Sequence, residues 1–321
     1  MNDTDLRALL ADAVSDVDPA YRLDEIRTRT AAPSRRARWY AAGGVVLATA
    51  AAVTAVAVVT DLRDNEGPDP APSPSHGIDM QAAPAYFVGD TPNGARLFRE
   101  FINIDASIPE LDASLAALER GPDDPDYTTM WGPDSFDSAS VQGDIIYVDL
   151  ADEALHDRPP GMSKEQAGLA IEQVIYTVQG ALRQGRLAVQ FRINGNPTNE
   201  VYGETTSEAL SESPQLDVLA LVSISDPTEG QMVSGSFIAK GVASSFEGTV
   251  PWEIRAPDGT LVEDGFATAE GFMDRLYPWE TEVDVSRLAP GKYTFVALTD
   301  DPSGGAEGPG PTSDTRTIVV E

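Results

Sequence analysis

Two histidines, no cysteine and an excess of carboxylates define the chemistry open to this chain of 321 residues. Without cysteine there is no thiol nucleophile, no thiolate metal site, no disulfide framework and no lipid-modified cysteine anchor. His76 lies in a proline-rich stretch and His156 in "DEALHDRPPG". A serine–histidine pair would have to use His156, whose neighbours read as a solvated loop. Asp123, Asp124 and Asp126 in "GPDDPDY" offer hard oxygens to Ca²⁺. Their spacing is not that of an EF-hand loop, and no bidentate Glu stands at its twelfth position. No G-x-S-x-G, H-E-x-x-H, S-x-x-K or phosphate-cradling glycine loop occurs. No carboxylate pair is marked out for glycoside hydrolysis. We therefore expect a non-enzyme, with no catalytic, cofactor-binding or metal-ligating residue to assign.

The remaining chemical candidates are Glu165, Gln166, Glu172 and Gln173, in "SKEQAGLAIEQVIYTVQGAL" from Ser163 to Leu182. Ala167, Ala170, Ile171, Val174, Val178, Ala181 and Leu182 recur at helical spacing and make one apolar stripe. Ser163 with Gln166 three positions later fits a capping box. Glu172, Gln173 and Thr177 fall opposite the stripe. The spacing predicts a core-packing helix whose polar face is wet, because nothing nearby promises the burial or charge that tunes a catalytic carboxylate.

Ala41–Thr60, "AAGGVVLATAAAVTAVAVVT", runs 20 residues without a charge, about 30 Å as a helix and so enough to span a bilayer. Trp39 and Tyr40 form an interfacial flank, Arg35, Arg36 and Arg38 precede it, and Asp61, Asp64 and Glu66 follow. The positive-inside rule then places the N-terminus in the cytoplasm and residues 61–321 outside, as a single-pass protein of the cell membrane. A cleaved signal peptide, for which Ala55-Val56-Ala57 could serve as the site, would need an abnormally long leader. A buried alanine-rich core helix would leave the arginines and aromatics unexplained. The first 40 residues hold seven acidic and seven basic side chains, so the whole net charge of −30 falls on the outer part. Such a surface repels nucleic acid and anionic wall polymers and suits solubility in a salty medium.

Residues 1–38 read as a short cytoplasmic tail, 39–60 as the transmembrane helix, and 61–82 as a linker stiffened by Pro68, Pro70, Pro72 and Pro74. Residues 83–206 mix strands and helices. "AYFVG" and "ARLFREFINI" pair through Pro92-Asn93-Gly94, "IPELDASLAALERG" is a helix, and "SFDSASVQGDIIYVDLA" is a hairpin turning at Gln142-Gly143-Asp144. The long helix follows, then the strand "RLAVQFRING". A loose segment, Ser207 to Gln215, marks the boundary. Residues 216–321 hold seven strand-like runs and no helix pattern, which predicts an antiparallel sandwich. Trp252 is its expected core aromatic. Tyr293, after "LAPGK", has the spacing of a tyrosine corner. The expected fold class is an α+β domain followed by an all-β immunoglobulin-like sandwich, with one N-terminal transmembrane helix.

Residues 83–206 resemble the GerMN domain of sporulation and spore germination, on "AYFVGDTPNGARLFREF", "ALERGPDD", "SASVQGDIIYVDLADEAL", "EQAGLAIEQVIYTVQGAL" and "LAVQFRINGNP". Residues 217–321 resemble the immunoglobulin-like domain of bacterial spore germination, on "VSISDPTEGQMVSGSFIAKGVASSFEGTVPWEI" and "LAPGKYTFVA". The resemblance implies no active residue, since neither family is known for a catalytic motif. Better-known members in spore formers use a lipid-modified cysteine as anchor, which the apolar span would replace here. The expected function is non-catalytic binding or scaffolding at the cell wall, with a cell-wall component or an envelope protein as partner, membrane contact through residues 41–60, and no nucleic acid. The alternatives are transmembrane signalling through a regulator held by residues 1–34 and, with no motif behind it, an envelope hydrolase.

Overall fold

The computed structural model describes residues 79–182, 186–302 and 310–321, all within one compact unit. The tail, the apolar span at 41–60, His76 and most of the linker lie outside the described residues. Among the described residues no helix is long and apolar enough to cross a membrane.

Strands β1 (Met80–Thr91) and β2 (Gly94–Asp105) form a hairpin in full antiparallel register, with Thr91 opposite Gly94. Gly94 takes φ +91, a conformation glycine adopts without a Cβ clash. The first strand begins at Met80, inside the stretch read as linker. Helix α1 (Glu110–Arg120) follows Pro109 and ends at Gly121, burying Leu111, Leu115 and Leu118. A two-residue strand β3 (Tyr127–Thr128) pairs with β1 at Val88 and Gly89 only.

A second sheet holds β4 (Phe136–Gln142), β5 (Ile145–Leu150), β6 (Ala188–Ile193) and β7 (Asn196–Pro197). Strands β5 and β6 are parallel and joined through α2 (Lys164–Ala181), the crossover that parallel neighbours require. Phe87, Phe98, Ile102, Leu118, Trp131, Ile146, Ile175 and Phe191 fill the core. Short strands β8 (Glu200–Val201) and β9 (Glu204–Thr205) close this half. Mixed strands and helices are thus present as expected.

The second half is a sandwich. One sheet orders β10 (Val222–Asp226), β12 (Ser236–Ala243) and β15 (Tyr277–Asp284). The other runs β11 (Gln231–Val233), β17 (Ser313–Val320), β16 (Gly291–Leu298), β13 (Thr249–Arg255) and β14 (Leu261–Thr268). All seven expected strand runs are found, with three departures. The run from Asp217 opens in a short helix α3 (Gln215–Val218) before β10 begins. Strand β11 was not foreseen and pairs parallel to β17, so the sandwich is not wholly antiparallel. Trp252 is also not the central aromatic. Its indole lies over Gly265, the opposite residue on β14, where a Cβ would sit 2.4 Å from the ring, and it stays half-buried. Trp279, 2% exposed, packs in the core with Phe237 and Phe295. The tyrosine corner is present: the Tyr293 hydroxyl donates to the Ala289 carbonyl at 3.0 Å.

Candidate functional site at the domain junction

The Ser163 hydroxyl accepts from the Gln166 N–H, and the Gln166 side chain accepts from the Ser163 N–H, so the capping box is complete. Glu165 is exposed in the first turn. The apolar stripe is buried as expected, but the opposite face is not wet. Gln173 and Thr177 are fully buried. Gln173 donates to the Tyr86 carbonyl at 2.8 Å and accepts from the Met130 N–H at 3.2 Å, while the Thr177 hydroxyl accepts from the Tyr86 N–H at 3.0 Å. The cause is the shortness of β3. That strand covers β1 only at Val88 and Gly89, so the edge groups of Tyr86 have no strand beside them. Helix side chains take the missing strand's place.

Glu172 accepts from the Ser213 N–H at 3.2 Å on each carboxylate oxygen, and the Ser213 hydroxyl donates to it as well. Burial raises its pKa, against the lowering effect of Ser213. Nearby, the Tyr176 hydroxyl donates to the Ser213 carbonyl, and Gln179 and Arg186 both donate to Glu212. The segment Ser207–Gln215, expected to be loose, is therefore fastened to α2. Glu172 is its anchor.

His156 closes a 3-10 turn (Glu153–His156), with Nε2 2.6 Å from the Thr198 hydroxyl oxygen. The same hydroxyl lies 3.0 Å from the Glu200 carbonyl. The ring is half-buried and bonded, which corrects the expectation of a solvated loop histidine.

The Asp123–Asp126 stretch meets the sandwich. Asp124, 2% exposed, lies 2.5 Å from Nη1 of Arg316, itself 2% exposed on β17. The same nitrogen is 3.1 Å from Asp314, and Nη2 donates to the Ile224 carbonyl. Asp314 also accepts from the Tyr127 hydroxyl and from the N–H groups of Ile224 and Thr315. Asp126 accepts from the Thr315 hydroxyl at 2.8 Å. Asp123 faces solvent, paired with Arg120. Behind them Glu100 accepts from the N–H groups of Asp123 and Asp124.

Tyr127 reaches this cluster because it stacks on Phe98, centroids 4.8 Å apart, over Gly89. A Cβ at Gly89 would stand 2.9 Å from both rings. Burial pushes Glu100 up to about 7, an effect that Arg316 opposes and Asp124 and Asp123 reinforce. Burial likewise lifts Asp124 to about 6. Burial raises Asp314 as well, against the lowering effect of Arg316. The arrangement joins the two halves. Sequence reading missed Asp314 and Arg316, although "SDTRTIVV" carried the signal. In an alternating strand both share the inward phase of Ile318 and Val320.

Residues 84–199 match the family of sporulation and spore germination domains, and residues 221–306 match the immunoglobulin-like domain of bacterial spore germination. Both expected resemblances are met. No curated protein matches the chain. Among solved structures it is similar to the tandem GerMN domains of the sporulation protein GerM from Bacillus subtilis, at 14% identity and a TM-score of 0.31 over 43% of this chain and 48% of that one. The chain thus spans about half of that protein's length. It also shows likeness to CopC from Methylosinus trichosporium OB3b (19% identity, TM-score 0.21, 31% of this chain and 93% of that one). A lytic polysaccharide monooxygenase from Jonesia denitrificans follows (13%, 0.20, 30% and 60%).

Proposed function

From a chain that carries a sporulation and spore germination domain and, after it, the immunoglobulin-like domain of bacterial spore germination, we propose a non-catalytic binding or scaffolding role in the cell envelope. The apolar stretch 41–60 would anchor it, with residues 61–321 outside. The observation that carries this reading is the Asp124–Arg316–Asp314 junction. It buries ionic groups to hold two domains in one arrangement, which suits presentation of a fixed composite surface and does nothing for turnover. Breaking such a buried pair costs several kcal/mol. Three of the other side chains singled out in the sequence support the same reading: Gln173, Glu172 and His156 each bond backbone or neighbouring side chains.

The test is retention of the full chain, purified in detergent, on wall material and on extracted membrane proteins. Retention on either, with no hydrolysis of the wall, is the expected result; release of soluble wall fragments would overturn the reading. Orientation is tested separately by a reporter enzyme that works only outside the cytoplasm. Fused after Gly67 it should be active, and fused at Pro33 inactive.

A further inference from the structure

Arg316 and Arg99 make an instructive contrast. The first is flanked by two carboxylates. The second, half-buried on β2, has no carboxylate within ion-pair distance among the described residues, in a chain of net charge −30. Arg99 crosses the domain boundary instead. Its Nη2 donates to the Ser225 hydroxyl at 2.9 Å, its backbone N–H to the Ser223 hydroxyl at 3.3 Å, and its guanidinium lies 5.0 Å over the Phe101 ring. Its Nε is buried with no acceptor among the described residues.

Arg99 and Phe101 form one wall of a cleft of about 510 Å³, the size of a small-ligand site. The sandwich supplies the rest. Ser225, Lys240, Val242 and Thr268 line it, with Pro278 adding apolar surface. Lys240 is half-exposed, 3.5 Å from Asp226. Glu270 and Glu280 also line the cleft. A planar guanidinium at the cleft wall, lying over an aromatic ring, can offer its outer N–H groups to a carboxylate. The two glutamates disfavour a polyanion and can accept from N–H groups of the same ligand.

We propose that this interdomain cleft binds the carboxylate of an amino-acid-derived ligand, either a free amino acid or a peptide C-terminus, with Arg99 as the carboxylate receptor. The site does not depend on where the chain resides, so it stands or falls apart from the envelope reading.

Titration calorimetry on the full chain with tri-alanine, tri-alanine amide and alanine tests it and separates the two sources. Saturable binding of tri-alanine or of alanine, with the amide at least about tenfold weaker, is expected. Arg99→Met should weaken binding about tenfold or more, and Arg99→Lys, which keeps charge but loses the fork, should recover only part. Because Arg99→Met removes a bond between domains, the unaltered chain supplies a second reading. Bound tri-alanine or alanine should slow modification of Arg99 by an arginine-specific dicarbonyl, followed by mass spectrometry. Equal binding of the amide, full binding by Arg99→Met in a folded chain, no binding of either carboxylate up to about 10 mM, or unprotected Arg99 would each overturn the proposal.

Discussion

Glu100 holds the N–H groups of Asp123 and Asp124 with its carboxylate while burial lifts its pKa from 4.5 to about 7. A raised folded-state pKa means the native chain binds a proton that the unfolded chain releases. The stabilising effect is complete below the unfolded value and is lost as pH climbs through 7. Asp124, raised from 3.8 to about 6, acts in the same direction at lower pH. Stability to denaturant should therefore fall between pH 5 and 8. Glu100→Gln should flatten the upper part of that fall, an effect of about 1–3 kcal/mol. Urea midpoints at several pH values would show it, and stability rising from pH 6 to 8 would contradict it. Tyr293→Phe belongs to the same scale. Its bond to Ala289 is exposed, so the loss should be about 0.5–1.5 kcal/mol.

Helix α2 shows what one element can hide. Thr177→Val, nearly equal in size, removes the acceptor of the Tyr86 N–H at a buried strand edge, and should cost about 1–3 kcal/mol. Ile171→Ala, on the apolar stripe and 6% exposed, should cost about 2–5 kcal/mol through the cavity it leaves. Thermal or urea denaturation measures both, and a neutral Thr177→Val would mean the edge is satisfied otherwise. Only the second effect could be anticipated from spacing. A stripe at i, i+3, i+4 is local and legible, as are the cap at Ser163 and the turns at Gly94 and Gly143. That the polar side faces a strand edge depends on β3 being two residues long, which no pattern around Gln173 encodes. The same reasoning explains Trp252. It lies in a strand-like run, but its place follows from Gly265 opposite it.

For the whole molecule, the junction makes the two halves thermodynamic neighbours. Arg316→Met leaves Asp124 and Asp314 buried without a cation, and should cost about 3–5 kcal/mol. Calorimetry of the unaltered chain should show the described unit melting in one transition, and the variant should split it in two. Two separable transitions before mutation would mean the junction couples the domains weakly. Each half could be read from its own turns, strands and helix. The contact between them could not, because it unites strand phases at Asp314 and Arg316 with a loop far upstream.

That separation has a consequence in time. Arg316 stands 192 residues after Asp124, and synthesis at about 5–20 residues per second leaves roughly 10–40 s between their appearances. During that interval Asp124, Glu100 and Tyr127 have no guanidinium to meet, and their face of the first domain stays hydrated. Until β17 is made the first half lacks this partner, and that one strand both fills its place in the sandwich sheet and supplies the joint.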